Sequence, residues 1–288
     1  MCKSNITLKK FLKLVLEIYF YKFIIFGIFA VAGYETFSLS RIAKLIMPFW
    51  GFSNDFVGCF LVFYLTIPFW NILIQNMNKK QHELLLMLLL GMYSVLGSIP
   101  KFNISFNYVT WFGVVYLVAS YIRIYPNKIF ENRKIWGYTS IGLILLANLS
   151  MLTMLYVTGS YAQFFVADSN KFFAIAIATT TFLWFKNLNI SYSKIINTIG
   201  ASTFGVLLIH ANSNAMRTWL WKDTVDCVGN YSLPLGYLIL YSIASILIIF
   251  LICTFIDVLR IKFLEKPFFR WFDKKNININ SLWQTKKL

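Results

Sequence analysis

The stretch Pro234–Asp257, PLGYLILYSIASILIIFLICTFID, carries no charge before its final residue. It is long enough to cross the hydrocarbon of a bilayer, which takes roughly 20 apolar residues. Working outward from it, comparable apolar runs recur at 14–33, 56–75, 84–99, 109–125, 136–157, 172–187 and 197–211. The run at 84–99 is short and stops at Pro100, and the run at 197–211 opens on the polar pair Asn197-Thr198 and holds Ser202-Thr203. The expected fold class is all-α, a polytopic integral membrane helix bundle of about eight transmembrane helices.

Composition agrees. The 288 residues are 58% hydrophobic, 19% aromatic and 13% charged, with mean hydropathy +0.65. A water-facing globular domain could not keep such a chain soluble. Eight crossings also use up most of the length, which leaves loops and tails and no sizeable soluble domain.

The basic excess, 27 Lys+Arg against 11 Asp+Glu, reads as a topology signal. With the N-terminus inside, twenty Lys and Arg fall in cytoplasmic segments, from Lys3 through Lys79-Lys80, Arg123 to Lys134 and Lys186 to Lys194, and on to Arg260 and Lys287. Six fall on the opposite side: Arg41, Lys44, Lys101, Lys171, Arg217 and Lys222. The positive-inside rule then places both termini in the cytoplasm. Trp50, Trp70, Trp111, Trp136, Trp184, Trp219, Trp221 and Trp271 sit near span ends, where an indole is half in the headgroups. Because the cations lie in short segments between apolar runs, with no basic-aromatic sheet or recognition helix, nucleic acid is not an expected partner.

Cys2, Cys59, Cys227 and Cys253 show no C-x-x-C spacing, and His82 and His210 stand far apart, so neither a metal site nor a disulfide framework is expected. Glu17 and Lys22 interrupt the first apolar run, which argues against a cleaved signal peptide.

Ionisable groups within spans are expensive, and each is a functional candidate. Glu17 and Lys13, four apart on one helix, are expected to form an interfacial ion pair. Lys22 either snorkels or pairs within the bundle. Asp257 stands within reach of Arg260 and Arg270 for a role at the helix end. His210 closes a span and reads as a structural histidine or as a base, and His82 as a solvated residue beside Lys79-Lys80. The polar rows Asn148, Ser150, Thr153 and Thr179-Thr180-Thr181 suit helix packing or a hydrated cavity.

Four strings together resemble the membrane acyltransferase 3 family, bacterial O-acyltransferases that modify cell-surface polysaccharides. They are Phe56–Asn71, FVGCFLVFYLTIPFWN, with its Tyr-Leu-x-x-Pro-Phe-x-Asn ending; Trp111–Arg123, WFGVVYLVASYIR; Ser202–His210, STFGVLLIH; and Arg260–Phe269, RIKFLEKPFF. Phe56 and Leu207 stand where the family commonly has Trp and Tyr.

The resemblance implies transfer of an acyl group, usually acetyl, from acyl-CoA to a sugar hydroxyl, in a bacterial inner membrane. Acyl-CoA, a carbohydrate acceptor and the lipid bilayer are therefore the implied partners, with no metal. It also implies about ten spans, with a catalytic histidine and an arginine on the first. Met1–Leu14 resembles the basic loop that follows the family's second span, so residues 1–273 are expected to be a family domain shortened by its first two spans. Residues 274–288 are expected to form a basic cytoplasmic tail. No catalytic residue is then expected in this chain, with His210 in a supporting place. Lys9, Lys10, Lys13 and Arg123 are the residues the resemblance sets at the phosphates of the donor. The alternatives are a transporter or flippase subunit for a glycan or lipid, or an inactive remnant; against transport stand the absence of a broken-helix pair and of repeated halves in the sequence.

Overall fold

A computed structural model describes residues 7–36, 38–47, 55–99, 102 and 107–274. The tail 275–288, Trp50, Lys101, Lys3 and Cys2 lie outside the described residues. Those that are described form helices and connecting turns, with no strand among them.

The helices are α1 Leu8–Val31, α2 Leu39–Ile46, α3 Phe56–Asn76, α4 Lys79–Leu90, α5 Tyr108–Ile124, α6 Arg133–Thr158, α7 Phe172–Lys186, α8 Lys194–His210, α9 Asn214–Thr218, α10 Leu235–Arg260 and α11 Lys266–Lys274. Every apolar run overlaps one of them, and for five of those helices a polar residue ahead caps the start. Thr7, Asn78, Asn107, Asn132 and Ser193 each accept a bond from a backbone N–H of the first turn. At Asn78 the arrangement is a full capping box with Gln81. That cap starts α4 at Lys79, five residues before the apolar run, and pulls Lys79, Lys80 and His82 out of the expected loop and into a helix.

Among the described residues, four helices are long and apolar enough to cross a membrane: α1, α3, α6, and α10 with its continuation to Lys274. The helices α5 and α7 are apolar but shorter, with 17 and 15 residues. The segment Asn214–Ser232 turns 95° away from α8, so these two count as one further span only if the bend lies inside it. The expectation of no broken-helix pair is therefore corrected: Ser213 caps a new helix directly after α8, a turn that hydropathy does not register.

The chain divides into two compact units, and α3 belongs to both by sequence. In the unit Val62–Ser191, α6 and α7 pack face to face, with Ser140 and Thr181 hydroxyls 2.6 Å apart and the Trp184 ring over Gly137. Trp70 lies so close over Gly113 that a Cβ there would collide with its ring. Asn148 and Thr153 bond to carbonyls four residues back in their own helix, and Ser150 to Ala147, so the polar row serves the helix itself.

Beyond Leu90, α4 loosens into a wide turn at Gly91–Val95 and ends near Ser98. This loosened end is held by residues at the start of α7, two of which bond to its carbonyls. Asn170 Nδ2 donates to Tyr93 O at 2.9 Å, Lys171 Nζ to Gly97 O at 2.7 Å, and Phe172 N–H to Ser98 Oγ at 2.9 Å. Lys171, counted in the sequence as a topology charge, is thus also a cap.

His82 is fully buried, not solvated. Its Nε2–H donates to Leu117 O at 3.1 Å, and the rings of Tyr121 and Tyr125 lie edge-on to it. Burial in this first turn of α4, ahead of the apolar run, holds its pKa below the ordinary imidazole value.

The second unit comprises the described residues of Ile6–Leu61 and Tyr192–Leu288. Here α8 packs on α10 and on α1, around a core that includes Ile18, Tyr21, Ile25, Leu61, Leu208 and Cys253.

Candidate functional site

The most concentrated polar chemistry in the described residues lies in this second unit, and α1 organises it. Lys9, Lys13, Glu17 and Tyr21 follow one another at four-residue steps and so line one slowly turning face of the helix. Each meets a partner on the α10–α11 segment, in reverse order. Lys9 Nζ pairs with Asp273 at 2.6 Å, Lys13 Nζ with Glu265 at 2.7 Å, and Glu17 Oε1 with Arg260 at 2.9 Å. Tyr21 Oη–H donates to Asp257 Oδ1 at 2.7 Å. The result is a ladder of four rungs between α1 and the segment that runs from the end of α10 into α11.

Arg260 is its centre. All three guanidinium nitrogens are engaged, Nε with Asp257 at 2.8 Å, Nη1 with Glu265 at 2.9 Å and Nη2 with Glu17. A planar fork with five N–H donors suits this many carboxylates where a point-like ammonium would not. Its guanidinium also lies over the Tyr21 ring. Asp257 is completely buried, and α8 makes room for it with Gly205, since a Cβ at that position would collide with the carboxylate.

The outer rungs differ from the inner ones in exposure. The side chains of Lys9 and Asp273 are 41% and 57% exposed, whereas that of Arg260 is 6%. The inner rungs therefore work at low dielectric, where a broken pair leaves a costly stranded charge, and the outer ones are screened. Ser202 Oγ, Thr254 Oγ1 and Asp257 Oδ2, all buried, have no hydrogen-bond partner among the described residues. Alongside runs an apolar groove of about 790 Å³, lined by Tyr21, Ile25 and Phe29 of α1, Trp219, and Ile249 and Cys253 of α10.

These contacts revise several sequence expectations. Glu17 pairs with Arg260 and not with Lys13, which reaches Glu265 instead. Asp257 does pair with Arg260, while Arg270 is exposed on α11. Lys22 is buried and its ammonium donates to Met47 O at 2.6 Å, which ties α1 to the end of α2.

The donor candidates are split. Lys9, Lys10 and Lys13 stand on the first turns of α1, with Lys10 exposed, and Arg123 is exposed in the last turn of α5 in the other unit. His210 ends α8 half-buried, its Nδ1–H donating to Val206 O at 2.7 Å, which leaves Nε2 as the ring's second polar atom.

Tyr21, Glu265 and the threefold engagement of Arg260 were not expected from sequence. The signal that could have found them is the four-residue polar repeat on an otherwise apolar α1, which an all-lipid-facing helix would not carry.

A family model described as an acyltransferase domain matches residues 4–254. No curated protein and no solved structure matches the chain. The matched stretch takes in α1 through most of α10; Asp257, Arg260, Glu265 and α11 lie past its end.

Proposed function

The chain belongs to the acyltransferase family whose domain it carries, as a multi-pass membrane protein, and on that premise we propose that it is an O-acyltransferase of the cell envelope. It takes an acyl group, in first place acetyl, from acyl-CoA in the cytoplasm and places it on a hydroxyl of a cell-surface carbohydrate. The observation that carries this reading is the match over residues 4–254. The four family-like strings support it: they fall on α3, on α5, on α8 and on the segment from Arg260 into α11.

In the reaction the acceptor oxygen attacks the thioester carbonyl, a C–O bond forms, and the C–S bond breaks. The hydroxyl proton passes to a general base, and the sulfur leaves as the thiolate of coenzyme A. Lys9, Lys10, Lys13 and Arg123 are the proposed cations for the donor phosphates. Lys9 is bound by an exposed carboxylate, a pairing worth about 1 kcal/mol or less, so a phosphate can take the place of Asp273. His210 has a supporting role on the acceptor side. The proposal includes eight spans with both termini in the cytoplasm of a bacterial inner membrane, supported by the distribution of Lys and Arg.

The test is transfer of label from acetyl-CoA to carbohydrate in membranes of cells that express the chain. The expected result is incorporation that follows expression, with KM for acetyl-CoA raised by about tenfold or more in Lys10→Glu with Arg123→Glu. A KM that the charge reversal leaves unchanged removes the donor assignment. No incorporation from acetyl-CoA or from longer acyl-CoA removes the enzymatic reading of this chain in favour of an inactive remnant or of a glycan or lipid transport role.

A further inference from the structure

From Leu235 the chain stays helical through Lys274, a run of 40 residues. At 1.5 Å per residue that is about 60 Å, twice the hydrocarbon thickness of a bilayer. Its final third therefore stands at or beyond the headgroups, and there its side chains sort by character.

Glu265, Phe269 and Asp273, four apart, face α1. The two carboxylates pair with Lys13 and Lys9, and the Lys9 ammonium lies over the Phe269 ring. The next stripe round, Lys266, Arg270 and Lys274, is basic and exposed, and exposed Lys262 precedes it by one step. None of these four cations makes an ion pair among the described residues. On a third face Leu264, Phe268 and Trp271 are 50%, 41% and 52% exposed. The acids of this segment are thus neutralised inward, while its bases are left outward beside an apolar aromatic edge.

We propose that this face, Lys262 to Lys274, binds anionic phospholipid headgroups, with Phe268 and Trp271 set among the upper acyl carbons. The charge complementarity is direct, since four uncompensated cations meet phosphodiesters and each contributes on the order of 1 kcal/mol near an anionic surface. Aromatic side chains beside cations are what a helix at headgroup depth carries. The whole of this face, Lys262 included, lies past the family match and does not depend on acyl transfer.

The experiment reconstitutes the whole chain in bilayers of equal phosphatidylglycerol and phosphatidylcholine. Spin-labelled versions of each lipid then report how much of each the protein immobilises. The expected result is a surplus of immobilised phosphatidylglycerol that falls by at least half in Lys262→Gln with Lys266→Gln, Arg270→Gln and Lys274→Gln. The surplus should also fall in the unmodified protein at about 0.5 M salt, where screening shortens to a few Å. The charge-conserving Lys262→Arg with Lys266→Arg and Lys274→Arg should keep it. Equal immobilisation of the two lipids, the result for a face that docks a protein or a free phosphate instead, overturns the proposal. So does a surplus indifferent to both the glutamine variant and salt.

Discussion

Arg260 holds three carboxylates from three different positions in the chain, and its side chain is almost fully enclosed. Removing it strands Glu17 and leaves Asp257 with the Tyr21 hydroxyl and Glu265 with Lys13, so Arg260→Ala is expected to cost about 3–5 kcal/mol, read as a lower Tm in detergent and a loss of monodisperse protein. Arg260→Lys should recover only part, because an ammonium cannot present the same fork. Gly205 gives a sharper contrast. Gly205→Ala drives a methyl into the Asp257 carboxylate and should behave like a core disruption, whereas Gly200→Ala in the same helix meets nothing within 4 Å and should be neutral or slightly stabilising. Equal Tm values for the two glycine variants would show that the Asp257 seat does not need the bare backbone. At this scale the pairing of Asp257 with Arg260 was legible, since residues three apart on one helix are neighbours whatever the fold. Glu17 was misassigned for the same reason: Lys13 is its neighbour in sequence, but desolvation and the guanidinium fork favour Arg260.

At the scale of elements, the ladder joins α1 to α10 and α11 by rungs of unequal strength. The Lys9–Asp273 rung is exposed at both ends, so each of Lys9→Asp and Asp273→Lys alone should cost about 0.2–1 kcal/mol. The double exchange should restore most of the loss, and a double-mutant cycle on Tm measures the coupling. No coupling would mean that the outer rung adds nothing to the packing of α11 on α1. Helix positions were largely readable, because apolar length is local, although the Thr7 cap starts α1 at Leu8, six residues ahead of its apolar run. The starts of α4 and α9 were not read. In each a short polar cap, Asn78 or Ser213, moved a helix boundary into a segment that hydropathy alone reads as loop.

For the whole molecule, the sidedness argument has a direct test in the native cysteines. Cys227 is exposed between α9 and α10, Cys253 is buried in α10, and Cys59 is half-buried in α3. With both termini inside, Cys227 faces the exterior, so a membrane-impermeant maleimide should label a Cys2→Ser protein in intact cells and lose its target in Cys227→Ser. Labelling only after the cells are opened would reverse the orientation. The family was legible in the sequence, because its four strings are short contiguous patterns that can be recognised with no knowledge of how the helices pack.

What the sequence by itself determined is the solvent of this protein and its helical class. Both follow from sums over contiguous residues: the apolar length of each run and the scarcity of charge within it. The tertiary structure alone decided which polar residues face one another. Hydropathy does not say which face of a helix a neighbour covers. Hence the pairing of Glu17 with Arg260, the burial of His82, the capping role of Lys171 and the outward turn of Lys266, Arg270 and Lys274 appear only once the helices are packed. In a low-dielectric interior a buried charge must find a partner, and that partner is selected by proximity in space and not in sequence.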